Sequence, residues 1–208
     1  MINVDVICKH KFLSNTYVVG DEQSCIVIDP SNDVRDIIKL IGSRNLQGIF
    51  LTHAHFDHFY KLLDLYTKTK ATLYLNKNAI LKLKNSDLSC ATLFGYNYTI
   101  NLGDINYRIV HDNDILNLDN LVIKIINTPG HTNCGICILI DDKLFTGDTL
   151  FQDGYGRFDL PTASFIDLKQ SIKRIINLDE NIVIYPGHGN TSTICEEMHR
   201  DCILKLLK

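Results

Sequence analysis

The stretch LTHAHFDHF, residues 51–59, sets three histidines and an aspartate within six positions, directly behind the apolar run GIFL at 48–51. An apolar run that ends abruptly in ligand-type side chains reads as a buried strand delivering them to a sheet edge. His53, His55 and Asp57 are spaced by two, so an extended chain points them to one side. His58 falls out of step and is free to serve a second, neighbouring ion. Imidazoles and carboxylates at this density suit zinc, iron or manganese.

Outward from this stretch, three more strands end the same way. The strand at 121–127 leads through TPG to His131, the strand at 143–146 through Gly147 to Asp148, and the strand at 182–185 through PG to His188. Glycine beside each ligand allows a sharp turn and close backbone approach. Further strands are expected at 4–8, 16–19, 25–28, 72–75, 107–110 and 136–140. Helices are expected from an Asp33 cap to about 44, and over 57–68, 79–83, 164–176 and 196–207. Residues 85–104 lack a period and read as a long loop, with Phe94, Tyr96 and Tyr98 as candidate pocket walls. Blocks of strands followed by helices in both halves argue for two packed sheets with helices outside.

The 208 residues suffice for one domain, 1–208, with a single fold. Apolar residues at 45% and charged residues at 22% are ordinary for a globular protein. The formal charge of -3, with scattered basic residues, argues against a nucleic-acid partner. Apolar runs are strand-sized, far below the roughly 20 residues of a membrane span. MINVDVICKHKF lacks the apolar core of a secretory signal, so a cytoplasmic location is expected. Seven cysteines at irregular spacing are expected to stay reduced, with Cys134 and Cys137 as packing residues. His10, His111 and His199 fit no motif and are expected at turns or in solvent, and Asp29 in DPS is either a turn residue or a support for the ligand loop.

THAHFDH, TPGHT, FTGDT and YPGHG, in this order, resemble the metallo-β-lactamase superfamily over nearly the whole chain. The resemblance implies an α/β (α+β in some schemes) four-layer αββα sandwich with metals at one sheet edge. It implies His53, His55 and His131 on one ion, Asp57, His58 and His188 on the other, and Asp148 bridging. Two divalent ions held by five neutral imidazoles and two carboxylates keep a net charge of +2, enough to hold a metal-bridging hydroxide near neutral pH. Asp57 and Asp148 are the catalytic candidates and zinc the expected metal, with iron or manganese open to the same ligands.

Well-known zinc β-lactamase branches carry cysteine or serine where Asp148 stands. A bridging carboxylate is similar to glyoxalase II, and TLFQDGYGRFDLPTAS resembles its thiol-pocket segment. That implies Arg157 and, more weakly, Tyr155 as substrate contacts, with a small thioester such as S-lactoylglutathione or a related thiol conjugate as partner. An arginine that merely anchors its loop to a nearby acid is the competing reading of Arg157. Gly189-Asn190 replaces the Glu-Tyr of longer glyoxalase II enzymes, and GHGNTST looks like the compact glyoxalase II-like hydrolases. Two other readings stay open. One is a mononuclear-iron persulfide dioxygenase using His53 (or His55), His131 and Asp148, although Phe158 stands where that branch tends to have threonine. The other is a metal-binding module without catalysis.

Overall fold

TYVVG, SCIVI and ICILI carry apolar residues at consecutive positions, the pattern of strands covered on both faces. The computed structural model, which describes residues 1–9 and 11–208, shows what covers them. One sheet runs β1 (Asn3–Ile7), β2 (Thr16–Gly20), β3 (Ser24–Ile28), β4 (Asn45–Phe50), β5 (Leu73–Asn76) and β6 (Tyr107–Val110), in that spatial order. Its first two pairings are antiparallel and the rest parallel. The parallel crossovers carry α1 (Val34–Ile41), α2 (Phe56–Phe59), α3 (Leu62–Thr69) and α4 (Ala79–Leu83).

The second half of the chain supplies β7 (Ile115–Leu118), β8 (Leu121–Asn127), β9 (Ile136–Ile140), β10 (Lys143–Gly147), the small hairpin of β11 (Leu150–Phe151) and β12 (Gly154–Tyr155), β13 (Val183–Pro186) and β14 (Ser192–Thr193). Outside the hairpin these form a sheet ordered β14-β13-β10-β9-β8-β7. The helix α5 (Phe165–Ile175) lies between β12 and β13, and α6 (Ile194–Glu197) and α7 (Asp201–Leu207) follow β14.

Strand alternation sends neighbouring residues to different cores. Tyr17, Val19, Ile26, Ile28 and Phe50 point between the sheets, where they meet Ile123, Ile125, Ile136, Ile138 and Phe145. Val18, Val27 and Ile49 point the other way, against Ile37, Leu62 and Leu65 of the first helices. Ile126, Leu144 and Ile184 face Leu168, Ile172 and Ile203 on the opposite outside. Three apolar layers thus hold the four-layer αββα sandwich expected from the sequence. Each large side chain fully buried in them contributes about 1.5–3 kcal/mol. Cys134 and Cys137 fall into two different layers, and burial pushes the Cys137 thiol up to about 12, as packing residues require.

Several local expectations are revised. The helix expected to about 44 stops at Ile41, where Gly42 turns with φ 61 and donates its N–H back to Ile38. The helix expected over 57–68 is two, because Lys61 donates its N–H to the Pro30 carbonyl and leaves the helical ladder. The closing helix expected over 196–207 is also two, α6 and α7, with the fully buried Glu197 of α6 accepting from Asp153 N and Ser192 Oγ. β7 escapes sequence reading because, at the sheet edge, only its Leu116 is buried. Within 85–104 the chain makes two 3-10 turns, Ala91–Phe94 and Leu102–Asp104. Among the described residues no helix is long and apolar enough to cross a membrane. His111 and His199 are exposed, and His10 lies outside the described residues.

Candidate metal centre

The C-terminal ends of β3 and β4 in one sheet and of β8, β10 and β13 in the other meet at one edge of the sandwich, and each is followed within a few residues by a site residue. Two glycines make this convergence possible. Gly130, at φ 143, lies so close to the backbone of Leu168 in α5 that a Cβ would overlap it. A Cβ on Gly187 would run into Asp148 Oδ1 and His58.

After β4 the chain stays extended only as far as His55, which opens α2, so Asp57 and His58 are helical neighbours. Asp57 therefore does not join His53 and His55, as an extended reading alone would place it. The ligand atoms of His53, His55 and His131 lie within 4.8 Å of one another, and so do those of Asp57, His58 and His188. These are the two triads that the family resemblance implies. Asp148 stands between them: its carboxylate oxygens lie 3.3 Å from His58 Nε2, 3.5 Å from His131 Nε2 and 3.7 Å from His188 Nε2.

Four of the five rings are oriented from behind. His58 Nδ1–H donates to Asp29 Oδ2 at 2.9 Å, His131 Nδ1–H to the Arg157 carbonyl at 2.8 Å, and His188 Nδ1–H to the Leu13 carbonyl at 3.0 Å. His53 Nδ1 is 3.1 Å from Thr52 Oγ1, whose own hydrogen goes to Asp29 Oδ2 at 2.6 Å. A neutral ring that donates from Nδ1 has only a lone pair at Nε2. The Nε2 atoms of His58 and His188 are nonetheless 3.3 Å apart, facing each other. His131 Nε2 instead shares a 2.9 Å hydrogen bond with His55 Nδ1, while buried His53 Nε2, His55 Nε2 and Asp148 Oδ1 make no hydrogen bond among the described residues. Converging lone pairs and orphaned buried acceptors call for cations at their centre, and the donor set fits zinc, iron or manganese.

The electrostatics agree. Burial, reinforced by His58, holds His53 well below its ordinary value, and burial with His131 and Lys82 pushes His55 down to about 3, so both stay neutral as ligands must. At His58 burial opposes the charged form, but the Asp148 and Asp57 carboxylates outweigh it and raise the ring well above its usual range. That pair of buried carboxylates demands positive charge. Asp29 could also approach His53 and His58 as a ligand. Its oxygens, however, already accept from Thr52 N at 2.8 Å, Thr52 Oγ1 and His58 Nδ1, which makes it the support of the ligand loop.

A cavity of about 210 Å³ opens above the cluster. Its floor is His55, Asp57, His131, Asp148 and His188, and its walls are Cys90, Leu93 and Phe94 on one side and Arg157 and Leu160 on the other. Of the three aromatic residues expected from 85–104, Phe94 reaches the cavity, whereas Tyr96 and Tyr98 pack behind it on Phe56. Arg157 is on the wall, with its guanidinium forked onto Asp159 by two 2.7 Å bonds. Tyr155 is not among the lining residues. Paired with Leu150 in the hairpin, it packs toward the layer under α5.

Sequence reading missed two supports. Residues 13–15 cross from one sheet to the other: besides Leu13 holding His188, Ser14 Oγ donates to the Asp57 carbonyl at 2.6 Å and Asn15 to the Pro186 and Gly189 carbonyls. Lys82 is 1% exposed, and its Nζ donates to the Leu88 carbonyl at 3.0 Å and the Pro161 carbonyl at 3.4 Å, joining the segments that bear the two cavity walls. Burial holds its pKa below the ordinary 10.5. Between the folded value and 10.5 the unfolded chain binds the extra proton, so this group's contribution to stability rises with pH across that window. The difference in unfolding free energy between wild type and Lys82→Met is therefore expected to climb as pH is raised toward 10.5 in denaturant titrations. A flat difference would show that the ammonium is not desolvated.

The sequence model of the metallo-β-lactamase superfamily matches residues 11–188, which include all seven candidate ligands. The hydroxyacylglutathione hydrolase GloC of Haemophilus influenzae is 31% identical over 203 residues, covering 94% of this chain and 95% of its own. Among solved structures, the BLEG-1 B3 metallo-β-lactamase superposes with a TM-score of 0.88 at 26% identity, covering 97% of this chain and 98% of its own. A protein solved in a di-iron-bound form superposes with a TM-score of 0.82 at 26% identity, over 94% and 98% of the two chains. Sequence, sandwich and ligand cluster agree, and the chain belongs to the metallo-β-lactamase superfamily.

Proposed function

We propose that the protein is a binuclear metal-dependent hydrolase, zinc-loaded, that cleaves a small thioester such as S-lactoylglutathione or a related thiol conjugate. The observation that carries this reading is Asp148, a carboxylate standing between two complete triads. Bound divalent ions would supply Lewis acidity and a water ionised near neutral pH. The chain's own residues hold the geometry: four of the rings are held by Asp29, Thr52, Leu13 and Arg157, and in this reading Asp57 orients the attacking water. Arg157 lines the cavity wall as the candidate substrate contact, its guanidinium held by Asp159. An intact second triad of Asp57, His58 and His188 favours two ions over the single iron of a persulfide dioxygenase.

Zinc-loaded protein is expected to release free thiol from S-lactoylglutathione or an S-acyl N-acetylcysteamine at about 1–10³ turnovers per second. Thiol release no faster than with chelator-treated protein would overturn the reading. So would faster opening of a chromogenic β-lactam, or oxygen uptake on glutathione persulfide by iron-loaded protein.

A further inference from the structure

We propose that the cavity selects a thioester with one short, uncharged, apolar arm, which lies against Leu93, Phe94 and Leu160; this rests on the hydrolytic reading above and narrows its substrate class. A glutathione arm presents two carboxylates and an ammonium, and a site built for it needs free cations at its walls. Among the described residues, the lysines and arginine at this cavity are committed elsewhere. Arg157 is the one lysine or arginine among the described residues lining the cavity, and Asp159 takes both arms of its fork. Lys11, beside the same wall, donates to Tyr96 Oη and lies over the Phe12 and Tyr96 rings. Lys82 points inward at two carbonyls.

What the walls do offer is apolar surface held toward the mouth. Leu93 is 68% and Phe94 43% exposed, although the 3-10 turn that bears them is well anchored. Phe94 packs against Phe12 with ring centroids 4.7 Å apart and planes tilted by 54°, and Ala91 in the same turn is fully buried. Large apolar groups kept rigid at the rim of a reactive centre are a binding surface. At about 210 Å³ the cavity is smaller than the roughly 300–1,000 Å³ of sites that enclose drug-sized ligands, so it takes the thioester and a short arm only.

The test is a panel of acetyl, butyryl and hexanoyl N-acetylcysteamine thioesters beside S-lactoylglutathione, with hexyl N-acetylcysteamine thioether as a non-hydrolysable binder. Moving the alkyl chain between the acyl and thiol sides shows which arm is seated. The kcat/KM is expected to rise about fourfold per added methylene at first, and the hexanoyl ester to exceed S-lactoylglutathione. The L93S/F94S double variant, and Leu93→Ser alone in case Phe12 packing suffers, should lose about tenfold more on hexanoyl than on acetyl substrate and bind the thioether correspondingly less. If S-lactoylglutathione is the better substrate, or chain length has no effect, the apolar-arm inference falls while the hydrolase reading stands. If no thioester is cleaved, the hydrolase reading falls, and thioether binding weakened or unchanged by Leu93→Ser decides the subsite by itself.

Discussion

Asp148→Ala is expected to cut turnover on the order of 10³-fold and to lower bound metal from two ions per chain to about one, with the fold intact. The size follows from position. Among the described carboxylates Asp148 alone stands within 3.3–3.7 Å of candidate ligand nitrogens from both triads, so its loss removes a charge from each candidate ion site at once. Asp57 remains on the second triad, 3.2 Å from His188 Nε2, grouped with His58 and His188 and not with the first triad. The fold survives because the three apolar layers do not use this side chain. Elemental analysis after dialysis, thiol release and circular dichroism together check the expectation. Two tightly held ions in the variant, at wild-type activity, would show that the triads do not depend on a bridge.

The candidate ligands were legible because each is a side chain of distinctive type in a short motif that follows a strand, and the sandwich because runs such as SCIVI and ICILI announce burial on both faces. What stayed hidden is carried by backbone oxygens. The carbonyls of Leu13 and Arg157 fix two ligand rings, that of Pro30 breaks a helix, and those of Leu88 and Pro161 hold Lys82. Every residue has a carbonyl, so no residue type marks these positions. Leu13 lies 175 residues from the histidine it orients, and only the closed sandwich brings the two together. Asp29 was half-legible for the opposite reason: a turn aspartate and a supporting aspartate look alike until its three donors are located. Arg157 shows both of its readings at once, on the cavity wall and clamped to Asp159.

Asp29→Asn tests whether that aspartate acts through His58, and it is expected to weaken metal binding by about 10–100-fold with a comparable loss of activity. The backbone N–H of Thr52 donates to Oδ1, so the amide oxygen of the variant must occupy that position. The amide nitrogen then takes the place of Oδ2, where Thr52 Oγ1 and His58 Nδ1 now donate. The threonine hydroxyl can rotate and accept instead. His58 has no such freedom: facing a donor, its Nδ1 must give up the hydrogen, and the neutral ring carries it on Nε2, the atom that should hold an ion. Position 29 also has φ 51, which asparagine tolerates as readily as aspartate, so backbone strain does not confound the result. Asp29→Ala, by contrast, strands all three donors, and each costs about 1–3 kcal/mol when buried unpaired. Competition with a metal indicator measures the affinity, nitrogen-15 NMR of the histidine rings reads the tautomer, and thermal unfolding separates the two variants. Unchanged metal affinity in the asparagine variant, with Nδ1–H still present on His58, would show that the ring is oriented by its burial and not by Asp29.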